Sequence, residues 1–149
     1  MDRYRGKRAE SVCDAMMPEP DNAVDDQTVA YILAAQAWFE DLKQVAAQLA
    51  GLLVLEAAGA APDHPMLASA EQAYRNAADG LKSARVPARA RRHHDHLLAA
   101  ARKLDGALRA SGDTLMPLEG AYADLRAASR ALPGFQMISF ERGCCAAGI

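Results

Sequence analysis

The chain has 149 residues, a formal charge of −2 and a sequence pI near 6.1. This argues against a domain dominated by phosphate binding, which usually carries a pI above about 9. It is 51% hydrophobic but only 5% aromatic, and alanine is its commonest residue. That composition favours closely approaching helices over a sheet rich in Val, Ile and Tyr, and the length suits one all-α domain with its own core.

Residues 1–25 open with mixed charge and continue through Met16, Met17, Pro18, Glu19, Pro20 and Asp21. Two prolines and no apolar period oppose a helix there, so a flexible N-terminal arm is expected. No apolar run follows the basic start at Arg3, Arg5, Lys7 and Arg8, so the layout of a secretory signal is missing and a cytoplasmic protein is expected. A first helix is predicted from Asp25 and Asp26, whose carboxylates suit its positive end. Its apolar stripe runs Ile32, Ala35, Phe39, Leu42, Ala46, Leu49 and Leu53, beside a second row of Tyr31, Trp38, Val45 and Leu52. Gly59 to Pro62 ends it. The apolar window Val45 to Ala61 includes Gln48 and Glu56 and falls short of the roughly 20 apolar residues that a membrane span needs, so no membrane role is expected.

Asp63 is the expected cap of a second helix, with Pro65 in its first turn and Leu67, Ala70, Tyr74, Ala77, Leu81 and Ala84 facing inward. Pro87 marks a third start, followed by Ala90, His94, Leu97, Ala101, Leu104 and Leu108, until Ser111 and Gly112 supply a stop. Asp113 or Thr114, then Pro117, open a fourth helix with the face Leu118, Ala121, Tyr122, Leu125, Ala128 and Leu132. Short connections favour antiparallel neighbours. The expectation is an antiparallel up-down-up-down four-helix bundle over residues 26–133, with a C-terminal tail at 134–149. Phe135, Met137, Ile138 and Phe140 make that tail too apolar for a solvated linker, so it is expected to dock on the bundle, with disorder as the alternative.

Three groups carry possible chemistry. His93 and His96 stand one turn apart on the third helix, a spacing from which neutral imidazoles can share a metal, although no Glu-x-x-His or His-Glu-x-x-His motif accompanies them. On a 3.6-residue period His93 and His94 both flank the apolar stripe. The bland reading makes them boundary residues satisfied by water, backbone or a carboxylate. The vicinal Cys144 and Cys145 can bind a soft or transition metal or exchange with another thiol, with Cys13 or the histidines as further donors. Lys82, Arg85, Arg89, Arg91 and Arg92 fall between Asp79 and Asp95 with no acid among them. Arg85, Arg89, Arg91 and Arg92 are therefore the candidate site for an acidic partner or an anion, while nucleic-acid binding is not expected without an aromatic platform.

No nucleophile elbow, Gly-rich phosphate loop or inward acid pair appears. The expected function is a non-catalytic helical bundle acting by protein–protein interaction, as an accessory or regulatory subunit or as a homo-oligomer, with no resident cofactor. A thiol- or metal-handling protein is the alternative. A weaker one is a small-molecule binder using Tyr31, Trp38, Phe39, Tyr74 and Tyr122 in the bundle interior.

Overall fold

The computed structural model of the chain describes residues 26–59, 64–110 and 113–132. Among them the chain is all helical: α1 (Asp26–Ala57), α2 (Pro65–Ser83), a 3-10 turn at Ala88–Ala90, α3 (Arg91–Arg109) and α4 (Leu115–Ala131). The arm, the tail and the three cysteines lie outside the described residues, as do Asp25, Asp63, Pro133 and Gly134.

Local chemistry sets the helix ends. At the end of α1, Gly59 takes a φ of +82°, which a side chain would resist, and its N–H bonds the carbonyl of Glu56 at 2.9 Å. The N-cap of α2 is His64 rather than Asp63: its Nδ1 accepts the Met66 N–H at 3.1 Å, and Pro65 follows where no N–H is needed. Pro87 opens the tight turn 88–90 before α3 proper starts at Arg91, so the third helix begins later than the proline suggests. At α4, the Asp113 carboxylate accepts the Leu115 N–H at 3.0 Å, as its position in the sequence leads one to expect.

The helices pack mainly as two neighbouring pairs, α1 with α2 and α3 with α4, while α1 also touches α3 and α4. More than half of the buried apolar positions are alanine, including Ala35, Ala77, Ala100 and Ala121. Small residues bring the backbones close, and a few large side chains fill what remains: Phe39, Leu42, Leu81, Leu97, Leu104 and Leu125 are fully buried. Across α3 and α4, the Lys103 ammonium donates to the Asp124 carboxylate at 2.5 Å. Between α1 and α2, Gln48 donates to the Ser69 hydroxyl at 3.0 Å, and Gly51 lies beside Met66.

The indole of Trp38 on α1 packs directly on Gly80 of α2. A Cβ there would fall 2.6 Å from Cε2 and 2.7 Å from Cδ1 of Trp38, so the indole lies where any other residue would place its side chain. Gly→Ala inside a helix ordinarily gains about 1 kcal/mol. Here overpacking of about 1–3 kcal/mol opposes that gain, and Gly80→Ala is expected to destabilise the fold by about 1 kcal/mol. Urea unfolding of the variant checks this, together with a longer-wavelength emission as the indole is displaced.

Candidate functional site

Two buried histidines of α3 and a buried tyrosine of α1 meet near the starts of these helices. His93 is fully buried and His94 nearly so, not the solvated boundary pair that their place beside the stripe suggests. Their common partner is Tyr31, also buried: its hydroxyl lies 2.9 Å from Nδ1 of His93 and 3.4 Å from Nδ1 of His94. A hydroxyl offers one proton and can accept others. Both contacts are satisfied when Tyr31 donates to Nδ1 of one ring and accepts the Nδ1–H of the other. Each imidazole also meets the phenol edge-on, with centroids 5.8 and 6.0 Å apart.

Burial keeps this cluster neutral. It lowers His93 to about 4, helped by the nearby positive charge that His94 and His96 would carry. His94 is also lowered by burial, against an opposing pull from Asp95. Burial, and then the negative charge of Asp95, push the Tyr31 phenol well above its ordinary range. A phenol held protonated and an imidazole held neutral near pH 7 form a hydrogen-bonded tie between helices.

Beside this tie runs an open cleft of about 370 Å³ between the first half of α1 and the end of α2. Tyr31 and Trp38 are in edge contact at 6.2 Å and line its α1 side with Ala30 and Ala34; Gly80, Ala84, Val86 and Pro87 line the other. The polar lining comes from Gln27, Ser83 and Arg85. Chemically this is an apolar, aromatic-walled slot with a guanidinium at its mouth. Among the described residues, Lys82, Arg85, Arg91 and Arg92 are exposed and make no ion pair with a carboxylate. Arg89 is exposed too, on the turn that leads into α3.

The candidate residues are thus partly brought together. Arg85 joins the cleft, and Arg89, Arg91 and Arg92 follow it on the turn and first turn of α3. His93 points inward to Tyr31, whereas His96 is half-buried. Among the described residues no three His, Cys, Asp or Glu side chains gather as metal ligands. Cys144 and Cys145 lie outside the described residues. Of the aromatic interior residues, Phe39 is fully buried in the core, and Trp38, Tyr74 and Tyr122 are half-buried.

The pairing of Tyr31 with His93 is absent from the sequence reading, which places both near apolar stripes of separate helices without aligning them. The packing of Trp38 on Gly80 is likewise missed, though a glycine inside a helical pattern is itself a signal of close approach. No described helix is long and apolar enough to cross a membrane. Comparisons of the chain with protein-family models, curated proteins and solved structures give no match.

Proposed function

We propose that the protein is a non-catalytic cytoplasmic helical bundle that acts by protein–protein interaction, and that a second copy of the chain is its partner. The proposed arrangement of the helices is antiparallel, up-down-up-down. Three pairings support it for α1 and α2: Trp38 sits against Gly80, Gln48 bonds Ser69 and Gly51 adjoins Met66, so position falls along α2 as it rises along α1. The contact of Tyr31 with His93, near the starts of both helices, supports α3 running alongside α1 from near the same level.

The observation that carries the interaction reading is the far end of α1. Leu52, Leu53, Val54 and Leu55 are consecutive and occupy every side of the helix; Leu52 and Leu53 pack partly on the core, while Leu55 is only half-buried and Val54 is 69% exposed. A helix that is apolar all round requires partners all round. On the proposed register Arg109, the last residue of α3, is level with the Ala47 region of α1. On the same register α2 begins at about the level of Leu52, so no described helix accompanies the last turn of α1. At 1.5 Å per residue α1 is about 48 Å long, against about 28 Å for α3, which leaves this end projecting. Leu115 and Met116 at the start of α4, 54% and 66% exposed, are further apolar side chains left in water. Glu56 is the only charged residue from Leu49 to Gly59, so two such ends can meet across a two-fold axis with little like-charge repulsion.

Light scattering of the reduced full chain over a dilution series tests this. A dimer that dissociates on dilution is expected, with Val54→Glu monomeric at every concentration and unchanged in helical circular dichroism, since Val54 is outside the core. A wild-type chain that stays monomeric, or a Val54→Glu dimer as stable as wild type, overturns the reading.

A further inference from the structure

The cleft beside Tyr31 and the exposed cations around it lie at the end of the molecule where α1 begins, and the charge pattern of the sequence complements them. Between Arg8 and Lys43 the chain has no Lys or Arg, while Glu19, Asp21, Asp25 and Asp26 lie immediately before or at the start of α1. Between Asp79 and Asp95 the reverse holds: Lys82, Arg85, Arg89, Arg91 and Arg92 occur with no acid. Three of those cations, Arg89, Arg91 and Arg92, crowd the start of α3, where the dipole also favours negative charge; that helix has no acid in its first turn and its N-cap Ala90 offers no side-chain cap. Gln27, the second residue of α1, lines the cleft itself, so the segment preceding α1 begins at the cleft's edge.

We propose that this segment, residues 16–25, is the occupant of the cleft. Met16 and Met17 lie against Trp38 and the apolar walls, and Glu19, Asp21 and Asp25 face the arginines. The reach suffices. Trp38 is twelve residues along α1 from Asp26, about 18 Å, whereas the nine residues from Met17 to Asp26 span up to about 30 Å when extended. Pro18 and Pro20 oppose a helix in that stretch. Methionine's unbranched thioether suits an irregular aromatic-walled slot. The C-terminal segment Phe135 to Phe140 is as apolar but has no acid within it, and Glu141 is followed by Arg142, so it matches the cleft and not the charges. The proposal concerns the opposite end of α1 from Leu52–Leu55 and is independent of self-association there.

Trp38 is the only tryptophan of the chain and lines the cleft, so its fluorescence reports occupancy directly. In the full chain, Glu19→Lys with Asp21→Lys and Asp25→Lys is expected to move the emission to longer wavelength and raise acrylamide quenching. Met17→Asn should do the same in part. Adding Arg85→Glu, Arg91→Glu and Arg92→Glu to the lysine variant should restore the protected spectrum, a rescue that general damage to the fold does not produce. Emission and quenching unchanged in the lysine variant overturn the proposal. So does exposure of Trp38 by Phe135→Ser with Phe140→Ser but not by the arm variants, which assigns the cleft to the C-terminal segment.

Discussion

Acidification from pH 7 to pH 4 is expected to remove about 3 kcal/mol of folding stability through His93 alone. The imidazole titrates near 6.5 when the chain is unfolded and at about 4 in the folded protein, where burial disfavours its charge. Between those values the unfolded state binds the extra proton and the folded state does not, so stability is complete above 6.5 and falls as the pH drops toward 4. At about 1.4 kcal/mol per pH unit, the loss is about 2 kcal/mol by pH 5 and about 3 by pH 4. His94, lowered in the same direction, adds to it; Asp41, whose carboxyl is raised by burial and by Glu40, acts with the opposite sign. Urea unfolding at a series of pH values measures the slope. In Tyr31→Phe with His93→Leu, which removes the titrating imidazole together with its phenol partner, the slope between pH 6.5 and 4 should become shallower. An unchanged slope would mean that His93 is free to protonate in the folded protein.

Phe39→Ala should be the most damaging single truncation in the core, at about 3–5 kcal/mol. Domains of this kind have a total stability of about 5–15 kcal/mol, so the variant will sit near the edge of folding. Phe39 is fully buried and heads the largest buried side chains, and many of the buried residues sharing the core are alanines, which have no side chain able to move into the void. Leu33→Ala on the same helix supplies the control: Leu33 is 66% exposed, and its removal should change stability by no more than about 0.5 kcal/mol. Similar losses at the two positions would contradict the burial pattern of α1.

Periodicity made the helices legible because each of the four has a face it cannot leave in water. The predicted starts and stops fall within a few residues of those observed, and most of the residues assigned to the inward faces of α3 and α4 are buried. The face of α1 was less completely read. A strict seven-residue row drifts by about 20° per heptad around an ideal helix, so a row centred on Phe39 and Leu42 leaves its ends, Ile32 and Leu53, only half-buried. At the start of the helix the buried line passes instead through Thr28 and Tyr31, because Tyr31 must reach His93. That reach is a long-range pairing, 62 residues apart in sequence, which a period computed within one helix does not contain. The cap at His64 was also hidden, since histidine is not among the usual N-cap residues while Asp63 beside it is. The cationic cluster was plain from composition; its placement beside an aromatic cleft required the fold to bring α2's end against the first turns of α1.

The native mass of the reduced full-length protein, recorded before and after its thiols are blocked, is the most direct measurement of the interaction proposed for this bundle. The account predicts a metal-free dimer that survives modification of Cys13, Cys144 and Cys145 and becomes a monomer in Val54→Glu. A monomer throughout would contradict it; a metal-loaded species that disappears when Cys144 and Cys145 are blocked would contradict it and move the chemistry to the thiols.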